Sequence, residues 1–158
     1  MTTYQDAMLI GSVVNRFITP TQPIKIVAVT SPAVNSLDSD SPVVNEEIKD
    51  LKPEAQYNVM VNGHITILAT EAEIGAGLQS QIGFIGVDLF NNIYQSYNIL
   101  WVSAYTVTIP FTGFNTIPAS PTGTITVRVG FSPDNEADDG KLTVSDDGLM
   151  CNIIIQPA

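Results

Sequence analysis

Residues 57–69 alternate between apolar and polar side chains with a period of two, which is the period of a half-buried β-strand. The dipeptide Asn62-Gly63 in the middle is common in hairpin turns, but a turn there would mix polar residues into the apolar face. A continuous strand keeps one apolar face, formed by Tyr57, Val59, Val61, Ile65 and Ile67. We therefore expect one long strand, with Gly63 marking a bend or a bulge.

The same alternation recurs along the chain and predicts further strands at about 24–29, 81–90, 97–109, 123–131 and 149–156. Residues 45–53 fit either a short helical turn or a strand that ends at Pro53. Turn-forming residues are expected to connect the strands at Asn91-Asn92, 118–123, 133–140 and 146–148. No segment sustains a helical period. The pattern predicts an all-β fold, either a two-sheet sandwich or a closed barrel.

Residues 1–23 lack this periodicity. Pro20 and Pro23 favour an extended path, and an extended segment rich in apolar side chains is expected to lie against another surface. We expect two parts, an extended N-terminal arm over 1–23 and a β-domain over 24–158. The arm residues expected to make that contact are Tyr4, Met8, Leu9, Ile10, Val13, Val14, Arg16 and Phe17.

Charge separates these two parts as well. The 158 residues include sixteen acids and six Lys or Arg, for a net charge of −10. Residues 1–29 carry +1, so residues 30–158 carry −11. Such an acidic surface repels nucleic acid and anionic membranes, and we expect neither as a partner. No apolar run approaches the ~20 residues of a membrane-spanning helix, and the first fifteen residues lack the pattern of a secretory signal.

The chain contains one histidine, His64, and one cysteine, Cys151. His64 falls on the polar side of its strand, whereas Cys151 alternates with apolar residues and is expected to be a buried thiol without a disulfide. Schemes that pair Ser or Cys with His would need His64, and a zinc site would need more ligands. We therefore expect no enzyme activity and no cofactor.

The acidic loop 133–140 suggests a calcium site. Asp134, Glu136 and Asp138 have the first spacings of an EF-hand loop. The glycine then comes one position late, at Gly140, and Ser145 replaces the closing Glu. A solvated loop is the alternative interpretation, and a calcium-dependent adhesion module would follow if the acids do bind.

Aromatic residues are dense in the second half of the chain and suggest either a sugar-binding platform or packing in a core or between subunits. The cluster consists of Tyr94, Tyr97, Trp101, Tyr105, Phe111 and Phe114. Tyr105 is in register with apolar neighbours, which favours packing.

Residues 57–65, 105–110 and 117–127, with the closing strand, resemble the jelly-roll domains found in bacteriophage capsid-decoration (cement) proteins and tail-fibre tips, which are similar in shape to C1q and tumour necrosis factor. The resemblance covers roughly 24–158. It implies a jelly-roll β-sandwich that forms a homotrimer, with the arm bound to the major capsid protein and the β-domain facing outward. The protein would then be made in the host cytoplasm and located on the capsid surface of the virion.

Two alternatives remain open beside this resemblance. A tail-fibre-type jelly roll would bind a receptor or carbohydrate instead of a shell. Residues 51–57 read Leu-x-Pro-x-x-x-Tyr, which is similar to the corner of fibronectin type III sandwiches.

In the homotrimer, the residues expected in the subunit interface or the core are Tyr57, Trp101, Tyr105 and Phe131.

Overall fold

The computed structural model describes residues 24–34, 37, 42–69, 77–87, 90–98, 106–133 and 141–158. All regular elements in these segments are strands, and they contain no apolar helix of membrane-spanning length. The strands are β1 (Lys25–Thr30), β2 (Val44–Ile48), β3 (Gln56–Ala69), β4 (Gly77–Ile85), β5 (Phe90–Asn98), β6 (Thr106–Pro118), β7 (Ile125–Pro133) and β8 (Leu142–Pro157).

The strands form two antiparallel four-stranded sheets, one in the order β1-β8-β3-β6 and the other in the order β2-β7-β4-β5. Eight strands in two sheets with these crossovers make a jelly-roll β-sandwich. This confirms the expected fold class and excludes the closed barrel. The fibronectin-type sandwich is excluded as well, because immunoglobulin-like folds place their first two strands side by side, whereas β1 and β2 lie in different sheets.

The core lies between the sheets and follows from the two-residue period. Alternate residues are buried throughout β7 and along most of β3 and β8, with breaks at Gly63 and around residues 145–148. Val59, Val61 and Ile65 are completely inaccessible to solvent. Two aromatic side chains join the sheets, since the rings of Phe111 and Phe131 meet edge to face with centroids 5.3 Å apart. Burial of apolar area of this kind is the main favourable contribution to folding.

Residues 51–57, which resemble the corner of fibronectin type III sandwiches, form such a corner within this jelly roll. The backbone N–H of Lys52 donates a hydrogen bond of 2.9 Å to the hydroxyl of Tyr57, whose side chain is otherwise buried in the core. The N–H of Leu51 donates to the carbonyl of Gly123 at 3.0 Å. Gly123 has a φ of 73°, and an added Cβ would lie 2.3 Å from the Leu51 carbonyl oxygen, so this turn requires glycine. The Leu-x-Pro-x-x-x-Tyr motif therefore forms a local corner here and does not indicate a fibronectin type III fold.

One expected strand and one expected turn are wrong, and one open choice is decided. The strand predicted at 97–109 is two strands, because β5 ends at Asn98 and β6 begins at Thr106. Asn91-Asn92 does not turn but pairs with β4, where nine paired residues outweigh a local turn preference. Residues 45–53, left open between helix and strand, contain most of β2.

The Asp146-Asp147-Gly148 turn is also wrong, because these residues form a bulge inside β8. Ile65 pairs with Leu149 and Ile67 pairs with Val144, so residues 145–148 protrude opposite a single residue of β3. Asp147 has a φ of 57°. Its N–H donates to the Ser31 carbonyl at 3.1 Å, which ties the bulge to the chain that leaves β1.

Gly63 does not mark a bend or a bulge, because β3 pairs continuously through it with both β6 and β8. Because Gly63 has no side chain, the neighbouring strand β8 can lie close to β3 at this position. A Cβ added there would lie 2.3 Å from the Met150 carbonyl oxygen and 2.5 Å from Cys151 Cβ. Any larger residue must push β8 away from β3.

We predict that Gly63→Ala lowers the free energy of unfolding by about 2 kcal/mol or more, because backbone and a core side chain must shift. Gly130→Ala is the matched control. An added Cβ at that position of β7 would meet only Pro42 Cα, at 3.9 Å, and we expect no loss of stability. Urea denaturation measures both, and equal midpoints for the two variants would contradict the prediction.

Candidate interaction surface

The outward face of the sheet β1-β8-β3-β6 has an unusual composition. We call it the uncharged face and define it by the outward residues of β1, β3, β6 and the second half of β8, together with Ile24. These are Ile24, Ile26, Ala28, Thr30, Gln56, Asn58, Met60, Asn62, His64, Thr66, Leu68, Thr106, Thr108, Pro110, Thr112, Phe114, Thr116, Pro118, Met150, Asn152, Ile154 and Gln156. The set contains no Asp, Glu, Lys or Arg. The two acids of β8, Asp146 and Asp147, lie in the bulge and are not part of the uncharged face.

Among the side chains that the structure describes, which exclude most of those of β5, the exposed large apolar ones all belong to this face. Their exposed fractions are 57% for Ile24, 67% for Ile26, 41% for Met60, 44% for Leu68, 54% for Phe114 and 47% for Met150. Antiparallel sheets with one solvated face normally place polar residues there. A contiguous apolar area of this kind usually marks a surface that contacts another molecule.

Strand register gathers these side chains into a row. Ile26 pairs with Ile154, Ile154 with Met60, and Met60 with Phe114, so one apolar row crosses all four strands. The next outward row is Ala28, Asn152, Asn62 and Thr112, and the one after it is Thr30, Met150, His64 and Pro110. The face thus has one apolar row, followed by a row with two asparagines at its centre and then by a mixed row.

The outward face of the second sheet carries charged side chains on two of its strands, β2 and β7. Arg128 of β7 is exposed and donates from Nε to Asn45 Oδ1 at 3.1 Å. Glu47 of β2 points outward and forms an ion pair with Lys49 across 3.1 Å, with both side chains at least half exposed. The second sheet thus carries charged outward side chains on β2 and β7, whereas the residues that define the uncharged face include none.

Two shallow depressions lie on the uncharged face. The first, about 520 Å³, is lined by residues from all four strands that include Asn62, His64, Pro110 and Asn152. The second, about 350 Å³, lies toward the bulge and is lined mainly by Thr and Ser hydroxyls and by apolar side chains. Neither lining includes a carboxylate, so neither depression can carry out acid–base cleavage of a glycosidic bond.

The histidine and the cysteine cannot act together. Cys151 pairs with Gly63, next to His64 in β3, but its thiol points into the core and is 4% exposed, whereas His64 is exposed on the opposite side of the sheet. A thiol and an imidazole separated by a sheet cannot form the hydrogen bond that activates a nucleophile. Within the described segments, no three His, Cys, Asp or Glu side chains are grouped so as to hold a metal ion.

The structure places only some of the predicted site residues. Tyr57 and Phe131 lie in the core of the subunit itself, with exposed fractions of 2% and 1%. The aromatic cluster is divided, because Phe111 is buried while Phe114 points outward. The residues that fall outside the described segments are Trp101, Tyr105, the calcium candidates Asp134, Glu136 and Asp138, and the whole arm with Tyr4, Met8, Leu9, Ile10, Val13, Val14, Arg16 and Phe17.

Sequence reasoning missed the uncharged face. Met60 and Leu68 fall on the polar side of the 57–69 alternation, where they look like isolated exceptions. The signal that could have revealed the face is the lack of charge at alternate positions of β3 and β6, in a chain that has sixteen acids.

No family model matches the sequence, and no curated protein is detectably similar to it. Among solved structures, the globular domain of zebrafish complement 1qA protein is similar at 10% identity and a TM-score of 0.45, covering 86% of this chain and 96% of that chain. Two structures of infectious bursal disease virus are similar as well. The Gt strain has 12% identity, a TM-score of 0.44 and coverage of 87% and 38%. The T13 viral particle has 13% identity, a TM-score of 0.43 and coverage of 87% and 36%.

The chain spans little more than a third of the length of those two viral chains. These low identities and TM-scores leave the function to be inferred from the chain's own surface.

Burial gives the Cys151 thiol a testable property. Desolvation, and then the negative charge of Glu46, raise its pKa from 9.0 to about 11. The folded protein therefore holds this proton to a higher pH than the unfolded chain does.

We predict that this difference destabilises the protein in alkali. The unfolded thiol loses its proton near pH 9.0 and the folded one near pH 11, so stability is complete below pH 9.0 and falls as the pH rises through 11, by up to about 2 kcal/mol. Urea denaturation at about pH 8 and about pH 11 measures the loss. Cys151→Val, which removes the titration and keeps a similar volume, should show a smaller loss. An equal loss in both proteins would contradict the prediction.

Proposed function

We propose that the chain is a structural virion protein, a capsid-decoration (cement) subunit that binds and stabilises the shell of the major capsid protein as a homotrimer. The observation that carries the proposal is the uncharged face, which collects the exposed apolar side chains of an otherwise acidic domain on one side. A surface of this composition is typical of a protein that works in an assembly.

The rest of the domain fits an outward position on a particle. The charge of −11 on residues 30–158 keeps the exposed surfaces of neighbouring particles apart and opposes binding to nucleic acid. The resemblance of residues 24–158 to the jelly-roll domains of decoration proteins supports the same arrangement. Recognition of a shell would rest on contacts between proteins, which require no cofactor.

In this proposal the arm over 1–23 makes the contact with the major capsid protein. Its composition differs from that of the domain, with a near-neutral charge and an apolar stretch from Met8 to Val14. The depressions of the uncharged face do not favour the alternative of a carbohydrate-binding tail-fibre module. Phe114 is outside both linings, so neither offers the ring of that outward phenylalanine for stacking on a sugar.

We predict that deleting residues 1–22 leaves a folded homotrimer that no longer binds shells, because the arm supplies the contact and the domain supplies the fold. The experiment mixes full-length and truncated protein with undecorated shells of the major capsid protein from the same virus. Co-sedimentation and electron cryomicroscopy measure occupancy.

A matched pair of variants tests the arm without truncation. Val13→Asp with Val14→Asp should lose shell binding, whereas Thr2→Asp with Thr3→Asp, which adds the same charge outside the expected contact residues, should retain it. Decoration by the truncated chain would contradict the function of the arm. Failure of the full-length protein to bind any shell would contradict the proposed function.

A further inference from the structure

We infer that in the free chain the arm forms an added strand along the outer edge of β1, with Arg16 facing Glu46 of β2. The contact lies at the opening between the two sheets and not on the uncharged face. It forms without a shell, so it does not depend on the proposed function.

The sandwich is closed along one side and open along the other. On the closed side the edge strands are β5 and β6, where Gln95 Nε2 donates to the Thr112 carbonyl at 3.0 Å. On the other side the edge strands are β1 and β2, which are joined at one end, where Lys25 Nζ donates to the Lys49 carbonyl. We call this side the open edge and define it by the inward residues of the two strands. These are Lys25, Val27, Val29, Val44, Glu46 and Ile48.

The core is incompletely covered at the open edge. Val27 and Val29 pack against the core but are only partly buried. The inward Ile109 and Phe111 of β6, the edge strand on the closed side, are only 5% and 4% exposed. Apolar side chains that are half covered gain free energy when another apolar segment removes them from water. The open edge therefore favours contact with an apolar segment.

The backbone of β1 is also unpaired at the open edge. Among the described strands, β1 pairs only with β8. The N–H of Ser31 donates to the Leu149 carbonyl, and bonding direction alternates along an antiparallel strand, so the odd-numbered residues of β1 bond to β8. The N–H and C=O groups of Ile26, Ala28 and Thr30 therefore point away from the sheet. An added strand would pair with them.

Glu46 gives the open edge a preference for a base. Its side chain has the parity of the buried Val44 and Ile48, which turns it toward the first sheet, where it is partly buried. Within the described residues Glu46 forms no hydrogen bond or ion pair, and the one base of β1, Lys25, is bonded to Lys49 instead. A carboxylate removed from water without a partner is costly. An arginine that forms two hydrogen bonds with it offsets that cost.

The arm has the chemistry that this edge requires. Arg16 is the only base among residues 1–23, and Val14 and Ile18 lie two positions away on either side of it. In a strand these three side chains point the same way. A strand that directs Arg16 toward Glu46 thus also directs two apolar side chains toward the partly buried valines. The arm is continuous with β1, which gives it a high effective concentration at this edge.

The position of Glu46 along the edge sets the register. After desolvation by burial, the negative charge of Glu46 is the second cause that raises the pKa of Cys151, so the two side chains are near each other. Cys151 pairs with Val29 of β1, which places Glu46 at the level of Val29. Antiparallel pairing with Arg16 opposite Val29 therefore brings the guanidinium to the carboxylate.

The rest of the segment fits this register. Ile18 then lies opposite Val27, where it covers that side chain. Pro20 lies opposite Lys25, whose backbone groups face β8, so the missing N–H of Pro20 leaves no bond unmade. Residues 21–24 remain as a four-residue connection, a common length for a hairpin.

In the proposed function the arm exchanges this contact for the shell. That exchange rests on the proposed function, whereas the contact in the free chain does not. The apolar side chains of the arm are covered in both states, before assembly by the open edge and afterwards by the major capsid protein.

The first test compares amide hydrogen exchange, measured by NMR, in the full-length chain and in the chain that lacks residues 1–22. Deletion should speed exchange of the Ala28 N–H by about 100-fold or more, because its partner strand is gone. Val27 and Val29 donate to β8 in both chains and are the internal controls. Equal exchange of Ala28 in both chains would overturn the inference. So would an acceleration that Val27 and Val29 share equally, since that indicates fraying of β1.

The second test reverses the charges of the pair. Arg16→Glu and Glu46→Arg should each speed exchange of the Ala28 N–H by about 10-fold or more, because like charges then face each other. The double variant should restore slow exchange. Glu47→Arg makes the same charge change on the outward side of β2 and should have no effect. Circular dichroism checks that each variant is folded, and Arg16→Glu alters no residue of the sandwich. A double variant that exchanges as fast as the single variants would overturn the inference.

The third test asks which copy supplies the arm. Isotopically labelled truncated chains are co-expressed with unlabelled full-length chains, and exchange is measured on the labelled chains alone. We expect Ala28 to exchange rapidly there, because an arm that turns back onto its own β1 cannot protect another copy. Slow exchange would show that the arm comes from a neighbour and would overturn the contact within one chain.

All three tests use free protein and are separate from the test of shell binding. Full-length chains that protect Ala28 but bind no shell would contradict the proposed function and leave the inference standing. Chains that bind shells but do not protect Ala28 in the free state would contradict the inference alone.

Discussion

The pairing of β3 with both β6 and β8 is the constraint on which the two surfaces of the first sheet depend. Its inward residues, among them Val59 and Ile65, are completely buried, and a slip of one residue would move all of them to the outside. The absence of a side chain at Gly63 lets β8 lie close enough to hold this register. The same register aligns Met60 with its outward neighbours on the adjacent strands. The buried core residues of this sheet and the apolar row on its outward face thus both follow from the pairing of β3 with β6 and β8.

Part of this fold could be predicted because it is local. The evidence for the 57–69 strand lies within the segment, since every position of one parity except Gly63 is apolar, whereas the other parity has only Met60 and Leu68 as apolar residues. Strand order depends on residues that are far apart in the sequence. Alternation alone therefore did not distinguish a sandwich from a barrel, and the sandwich was expected only from the family resemblance. The errors have the same origin. Asn91-Asn92 and residues 146–148 have turn chemistry. Pairing with β4 holds Asn91-Asn92 in β5, and pairing of the flanking residues with β3 keeps 146–148 within β8 as a bulge.

The uncharged face was missed for a related reason. Its row joins Ile26, Met60, Phe114 and Ile154, which are far apart in the sequence and meet only through three strand pairings. Each of them, taken alone, is an ordinary exposed apolar residue. Aromatic density was a poor guide, because Phe111 and Phe114 are of opposite parity and lie on opposite sides of β6. Parity separates inside from outside but does not show which outward residues are neighbours.

The acidity of the chain and its neutral face act together on specificity. Repulsion between charged surfaces falls off over about 8 Å at physiological ionic strength, so it acts mainly on contacts that bring the surfaces close. Contacts that bury Glu47 or Arg128 must also remove charge from water, which is costly unless a partner compensates. The apolar row has no such cost and gains from leaving water. The carboxylates therefore disfavour contacts through the charged parts of the surface, whereas covering the uncharged face removes no charged group from water.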